Sequence, residues 1–224
     1  MRTLDAMLET SPWFVALGAP ARERVRTSLV VREYPTTAFV CRKGEPSDHW
    51  IGVIEGLVKL NALSPSGKCV TFTGVPAGSW FGEGSVLKRE ARKYDVIALR
   101  ASRVVLMPEA TFHWLLDTSF SFNRHLLMQL NERVGQFIGM VEHERLLEPD
   151  AKVARALASL FNPQLYPATG PQIQISQEEL GYLAGVSRQR VNQALQQLEK
   201  AGLVKAEYSA VTILDLDGLR CFEG

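Results

Sequence analysis

Short segments rich in apolar and β-branched residues run from residue 30 to 107 and predict β-strands. Glycine and proline separate them at residues 44–46, 65–67 and 76–78, where such residues favour tight antiparallel connections. The predicted strands are VVREY, FVCRK, HWIGVIEG, LVKLNAL, CVTFTGV, SWFGEG, DVIALR and RVVLM. The pattern therefore predicts a β-roll or barrel, preceded by an interrupted helical region over residues 2–29.

A long helix is predicted over residues 121–147, after a short one over 109–116. Its apolar residues recur at spacings of three and four, which is the pattern of a coiled-coil seam. The predicted seam consists of Leu127, Leu130, Val134, Phe137 and Val141. About 27 residues give a rod of about 40 Å, long enough to contact a symmetry mate. We expect this seam to form a dimer interface; the alternative is a helix packed on its own barrel.

The segment over residues 175–204 has the pattern of a helix-turn-helix. Ser176 and Glu179 form a capping box at the start of its first helix. Gly185 permits the tight turn, and Ser187 caps the second helix. Two strands around Ser209 follow, so the sequence predicts a winged helix-turn-helix.

The second helix presents polar side chains that suit the edges of DNA bases. Arginine pairs with guanine through two hydrogen bonds, while glutamine and asparagine pair with adenine, so we expect guanine opposite Arg188 and adenine near the glutamines. Arg190, Lys200, Lys205 and the amides at the two helix starts would position the phosphates. The expected DNA-contacting residues are Ser176, Gln177, Ser187, Arg188, Gln189, Arg190, Asn192, Gln193 and Lys205. The alternative is a solvated polar helix face.

Composition narrows the function classes. A chain of 224 residues suits two modest domains. The net charge of +1 does not favour nucleic-acid binding by itself, so the prediction of DNA binding depends on the local excess of basic residues over 184–205.

No segment has the length and apolarity of a membrane span or a signal peptide, so we expect a cytoplasmic protein. Cys41, Cys69 and Cys221 are far apart and the histidines lack metal-ligand spacing, so no metal or iron–sulfur cluster is expected.

Two segments carry a resemblance to the Crp/Fnr superfamily of bacterial regulators over residues 20–222. SWFGEGSVL, residues 79–87, resembles the family's phosphate cassette, and QEELGYLAGVSRQRVNQAL resembles its DNA reader. The resemblance implies an α+β chain with a cyclic-nucleotide-binding-like β-roll over 1–118, a long dimerisation helix over 119–148 and a winged helix-turn-helix over 149–224. It also implies a homodimeric transcription regulator that binds palindromic double-stranded DNA, with RNA polymerase as an expected partner.

The resemblance also defines an expected effector pocket. In members that bind cyclic AMP, a glycine–glutamate pair touches the ribose, and an arginine followed by a small hydroxyl residue holds the phosphate. Gly82 and Glu83 match, but Lys93 and Tyr94 occupy the phosphate positions, and Phe137 and Ile138 replace hydroxyl residues on the long helix. Cyclic AMP is therefore not expected, and the effector is unidentified; haem sensing stays open. The expected pocket residues are Gly82, Glu83, Arg92, Lys93, Tyr94 and Phe137.

The sequence gives weaker support to other classes of function. The glycine-rich segment GVPAGSWFGEG is expected to lie between strands without opening a helix, unlike loops that cradle phosphates in enzymes. No nucleophile is paired with a base, so we do not expect an enzyme. Two alternatives remain: a cyclic-nucleotide-responsive regulator, and a ligand-binding module with a degenerate helix-turn-helix.

Overall fold

The computed structural model of the chain describes residues 2–63, 69–146 and 148–223. Its N-terminal part holds α1 (Leu4–Glu9), α2 (Pro12–Val15), α3 (Ala19–Ser28), β1 (Val30–Tyr34), β2 (Phe39–Cys41), β3 (His49–Glu55), β4 (Leu57–Leu63), β5 (Cys69–Pro76), β6 (Trp80–Phe81), α4 (Glu83–Lys88), β7 (Asp95–Ala98), β8 (Ser102–Pro108) and α5 (Glu109–Thr118). We call this part the β-roll unit. The predicted turn at 65–67 lies outside the described residues.

The β-roll unit consists of two four-stranded sheets, in the orders β1-β8-β3-β6 and β2-β7-β4-β5. All of their strand pairs are antiparallel, as predicted. Aromatic side chains fill one side of this unit: Trp13, Trp50, Trp80, Phe112 and Phe122 are buried, with neighbouring ring centroids 4.5–5.7 Å apart. Because Phe122 belongs to the long helix, this cluster fixes the start of that helix on the roll.

The segment predicted as the strand SWFGEG is only partly a strand. β6 ends at Phe81, Gly82 takes a left-handed conformation with φ of +85°, and α4 begins at Glu83. Glycine adopts this conformation without the steric cost that a Cβ would bring, so it redirects the chain from strand to helix. The expectation that this segment opens no helix is therefore wrong, although α4 has only six residues.

The long helix α6 runs from Phe120 to Leu146. Its predicted end at Leu147 lies outside the described residues. Neither α6 nor any other helix in the described part of the chain combines the length and apolarity needed to span a membrane. The short helix before it continues to Thr118, two residues beyond the prediction.

The C-terminal unit, residues 149–223, contains α7 (Pro149–Ser159), β9 (Gln172–Gln174), α8 (Gln177–Ala184), α9 (Arg188–Lys200), β10 (Val204–Glu207), β11 (Ala210–Ile213) and α10 (Leu216–Cys221). The predicted capping box is present, Gly185 is left-handed at the end of α8, and the Ser187 side chain caps α9. Strand β9 joins the wing to make the order β10-β11-β9. The winged helix-turn-helix is thus confirmed, while β9 and α10 were not predicted.

The C-terminal unit packs directly against the β-roll unit. Leu57 of β4 belongs to the same buried cluster as Leu157 and Leu180 of the C-terminal unit. Conversely, Leu165 and Tyr166 of the C-terminal unit are buried in the apolar cluster between the two sheets of the roll. The two units therefore share cores rather than meeting only at polar surfaces.

Candidate DNA-binding face and effector pocket

The outward face of α9 is polar and exposed. Val191, Ala194, Leu195 and Leu198 are buried against the C-terminal unit. The opposite face exposes Arg188, Gln189, Asn192 and Gln193. Because helical side chains three and four residues apart share a face, these four groups form one surface. It offers the guanidinium and amide groups that read base edges in a major groove.

The cap residues hold the turn that presents this face. Ser176 Oγ accepts a hydrogen bond from the Glu179 amide at 3.2 Å, and Ser187 Oγ accepts one from the Arg190 amide at 3.3 Å. Gln177 reaches across the turn, donating from its Nε2 to Asn192 Oδ1 at 3.2 Å. The structure thus brings the first predicted DNA-contacting residues of α8 beside those of α9.

Two residues predicted to contact phosphate are engaged within the protein. Arg190 Nη2 lies 3.0 Å from the buried carboxylate of Asp150, and its Nη1 donates to Gln193 Oε1 at 3.3 Å. Lys205 Nζ lies 3.3 Å from Glu207 Oε1 in the wing. Arg190 therefore fastens α9 to the start of α7, and its charge is already compensated there. Sequence reasoning missed this because Asp150 is 40 residues away along the chain.

The exposed apolar stripe of α6 differs in phase from the predicted seam. Leu127 is 69% exposed, Val134 58% and Val141 49%. Leu130 and Phe137 are half-buried and line a pocket of the β-roll unit, and their place in a dimer seam stays a prediction. Ile138 is 64% exposed and Asn131 is exposed as well. The exposed set, Leu127, Asn131, Val134, Ile138 and Val141, retains spacings of four and three, and we call it the heptad stripe.

A cavity of about 210 Å³ lies between α4, α6 and the roll, and we call it the Glu83 pocket. It brings together four of the six predicted effector residues: Glu83, Lys93, Tyr94 and Phe137. Lys88 and Glu90 also line it, and Glu90 pairs with the Lys88 and Lys93 ammonium groups. Hydrogen bonds from those two lysines hold the pKa of Glu90 below its usual range.

The other two predicted effector residues, Gly82 and Arg92, do not line this pocket. Arg92 is buried behind Gly82 and donates to the backbone carbonyl of His49. A Cβ at position 82 would lie 2.5 Å from Arg92 Nη1, so a side chain there would displace the guanidinium as well as strain the left-handed backbone. Arg92 therefore supports the strand-to-helix turn that carries Glu83.

Arg133 is the central polar residue of this region and was not predicted. It is buried, and its Nε lies 3.5 Å from Glu83 Oε1. Its guanidinium also donates to the Trp80 carbonyl at 3.0 Å and to the Tyr166 hydroxyl at 3.2 Å. Burial raises the pKa of Tyr94, which also faces Glu83, and keeps that phenol neutral. Glu83 Oε2 is buried without a hydrogen-bond partner among the described residues.

The sequence carried no local signal for the contact between Arg133 and Tyr166. Tyr166 lies in the proline-rich segment after α7, where residues 162–171 contain no regular periodicity. Its hydroxyl joins Arg133 and Gln136 of α6, the latter at 3.2 Å. The Glu83 pocket is therefore connected through two side chains to the C-terminal unit.

Comparison with known families agrees with this architecture. The cyclic nucleotide-binding domain matches residues 31–119, and the Crp-like helix-turn-helix domain matches residues 151–222. Together these two matches include nearly all of both sheets of the roll and the whole of α8 and α9. The chain belongs to the Crp/Fnr superfamily of transcription regulators.

Individual relatives of this Crp/Fnr regulator span nearly its whole length. It is 26% identical over 220 residues to the CRP-like cAMP-activated global transcriptional regulator of Mycobacterium tuberculosis, covering 96% of this chain and 98% of that protein. Among solved structures it resembles the c-di-GMP responsive global regulator CLP of Xanthomonas campestris, with 23% identity, a TM-score of 0.60 and coverage of 88% and 99%. FixK2 of Bradyrhizobium japonicum gives 17% identity, a TM-score of 0.69 and coverage of 88% and 98%. These two structural likenesses show the shared fold.

The chain is accordingly a transcription regulator with a cyclic nucleotide-binding domain and a DNA-binding helix-turn-helix. Its relatives are transcription regulators rather than enzymes. The M. tuberculosis protein is described as activated by cAMP and the X. campestris protein as responsive to c-di-GMP. These descriptions apply to those two proteins.

Proposed function

We propose that this Crp/Fnr regulator is a homodimer that reads a palindromic DNA site through α9 and responds to an effector other than cyclic AMP. Residues 1–118 form the sensor, 119–148 the dimerisation helix and 149–224 the reader. The observation that carries the proposal is the exposed polar face of Arg188, Gln189, Asn192 and Gln193 on a fully capped helix-turn-helix. RNA polymerase is the further partner expected of a regulator that acts at promoters.

The heptad stripe supports the homodimer. Four of its five side chains are large, apolar and 49–69% exposed, an arrangement that costs free energy in water until a partner covers it. Asn131 interrupts the apolar series once, and a single asparagine at such a position fixes register and favours two helices. If two chains pair along this stripe of α6, their two α9 helices would enter successive major grooves about 34 Å apart.

The composition of the Glu83 pocket argues against cyclic AMP. In the family's phosphate positions, Lys93 has a 61% exposed side chain already paired with Glu90, and Tyr94 is a buried neutral phenol. An ammonium is a point charge and lacks the planar pair of donors by which arginine holds a phosphate. Phe137 contributes a ring to the pocket in place of a hydroxyl.

The same pocket retains one feature of a hydroxyl-binding site. The buried Glu83 Oε2 lacks a hydrogen-bond partner among the described residues, so it can accept from a ligand hydroxyl. The effector that fits is a small molecule with such a hydroxyl. The alternative is a cyclic-nucleotide-responsive regulator, which the M. tuberculosis relative favours.

The test is selection of DNA from a randomised pool by the full-length protein at fixed salt, with and without cyclic AMP. A two-fold symmetric site recovered equally under both conditions supports the proposal. A site recovered only with cyclic AMP overturns the effector part and establishes the alternative. Absence of any enriched site, together with total DNA affinity that does not fall with salt, overturns DNA reading and indicates a ligand-binding module with a degenerate reader.

A further inference from the structure

A crevice of about 340 Å³ lies where the β-roll unit, α6 and the C-terminal unit meet. Phe72 and Gly74 of β5 form one wall, Gly135 and Met140 of α6 a second, and Leu183 of α8 a third. No residue lines both this interdomain crevice and the Glu83 pocket. Its volume falls within the range of small-molecule sites, about 300–1,000 Å³.

The interdomain crevice is apolar with a cationic side. Lys152 and Arg155 of α7 and Arg220 of α10 line it, and none of its described lining residues is acidic. Arg155 Nη1 donates to the Leu219 carbonyl at 2.8 Å, which holds the guanidinium in place at the crevice. Arg220 Nη1 lies 3.1 Å from Asp217 Oδ1, whose side chain is 90% exposed. This distribution matches a ligand with an apolar body and an anionic head.

Two of the four α6 residues that line the crevice are glycines. Gly135 and Gly139 are one helical turn apart, so both lie on the face that lines the crevice. A Cβ built on Gly135 would meet nothing within 4 Å. Glycine inside a helix lowers its stability by about 0.5–1 kcal/mol relative to alanine. At Gly135 the absence of a side chain leaves space open in the crevice.

We propose that the interdomain crevice binds a small amphipathic anion, such as an aromatic or aliphatic carboxylate, sulfonate or phosphate. The anionic head contacts Lys152, Arg155 and Arg220, and the apolar body packs between Phe72, Met140 and Leu183. Because the walls come from both units, the ligand stabilises their docked arrangement by its differential affinity for it. This site does not depend on the effector proposed for the Glu83 pocket or on DNA reading.

The test uses the fluorescent sulfonate 8-anilinonaphthalene-1-sulfonate, titrated into the full-length protein. Gly135→Leu and Ala156→Leu fill the crevice from opposite walls and are expected to weaken binding of the dye about tenfold or more. Gly135→Ala adds one methyl group in open space and retains binding. Both substitutions of Gly135 favour the helix, and thermal unfolding checks that each variant is folded.

The anionic head is tested with the neutral analogue N-phenyl-1-naphthylamine. Lys152→Gln is expected to weaken the sulfonate about threefold or more and to leave the neutral dye unchanged, because only the sulfonate interacts with the lost charge. Lys43→Gln removes one exposed charge from the β-roll unit and should change neither. Undiminished sulfonate binding by both crevice-filling variants overturns the proposal, as does an equal effect of Lys152→Gln on the two dyes.

Discussion

At the scale of single residues, Arg133 and Glu83 form the most deeply buried ion pair of the described part of the chain. The two side chains are 9% and 5% exposed, and Arg133 also satisfies the Trp80 carbonyl and the Tyr166 hydroxyl. Removal of one partner leaves the other charge buried without compensation. We therefore expect Arg133→Met to lower the free energy of unfolding by about 3 kcal/mol or more, measured by urea denaturation.

The matched control is Arg26→Met, because Arg26 pairs with Asp5 at 3.0 Å on an exposed surface. An exposed pair contributes about 0–1 kcal/mol, so this variant should unfold almost like the wild type. Equal losses in the two variants would show that Arg133 is no more than an ordinary surface arginine.

The lowered pKa values of two histidines determine the direction in which the free energy of unfolding changes with pH. Burial lowers the pKa of His49 and of His125 below their usual value. As the pH falls through the ordinary histidine pKa of about 6.5, the unfolded chain therefore takes up protons before the folded one, and the free energy of unfolding decreases. The double variant His49→Gln, His125→Gln should show a flatter dependence of the urea midpoint on pH. An unchanged slope would contradict the assignment.

At the scale of elements, the heptad stripe of α6 leads to a prediction about the oligomeric state of the protein. A lysine at position 138 would place a charge in the middle of an apolar helix pair, and desolvating that charge is costly. We expect Ile138→Lys to be monomeric in sedimentation equilibrium at concentrations where the wild type is dimeric. Val15→Lys changes an apolar residue that is 48% exposed on α2, away from the stripe, and should remain dimeric. Dimers in both variants would place the interface elsewhere.

The same helix shows how far sequence alone can reach. Leu127, Val134 and Val141 belong both to the predicted seam and to the exposed stripe, so the period was predicted correctly. Spacings of three and four fit two interleaved sets, one through Leu130 and Phe137 and one through Asn131 and Ile138. The two sets differ in exposure because α6 contacts the roll: Leu130 and Phe137 line the Glu83 pocket, whereas Ile138 is 64% exposed.

The reader was predicted more completely because its determinants are local. The capping box, the left-handed Gly185 and the Ser187 cap all act within four residues. By contrast, α4, β9 and α10 have three to six residues, too few for a period to appear. The pair of Arg190 and Asp150 and the bonds of Tyr166 to α6 join residues 30 to 40 positions apart, which no local pattern indicates.

At the scale of the whole molecule, side chains of α8 fasten the reader to the roll. Arg100 Nε donates to Glu179 Oε1 at 3.0 Å, its Nη2 bonds the other carboxylate oxygen, and Lys59 Nζ lies 4.3 Å from the centroid of the Tyr182 ring. Glu179 is 9% exposed in this pair and also accepts from the Ser176 amide within the capping box. One carboxylate thus links the start of the helix-turn-helix to the sensor.

We expect Arg100→Gln to loosen the contact between the two units without unfolding either one. Hydrogen exchange should become faster at the backbone amides of α8 and β5, while the aromatic core of the roll stays protected. Arg89→Gln removes an arginine that pairs with Glu109 at 2.8 Å inside the β-roll unit and should not change exchange at α8. Unchanged exchange at α8 in Arg100→Gln would show that the apolar contacts alone hold the units together.

The central claim, that a symmetric pair of α9 helices reads DNA, is tested most directly by base preferences measured for wild type and Arg188→Ala on the selected site. We predict that wild type prefers guanine at one position in each half-site, and that Arg188→Ala loses about 1–3 kcal/mol of that preference in both halves equally. Arg32→Ala, an exposed arginine of β1, serves as the control and should leave the preferences unchanged. Retention of every base preference by Arg188→Ala, or a loss confined to one half-site, would contradict the account.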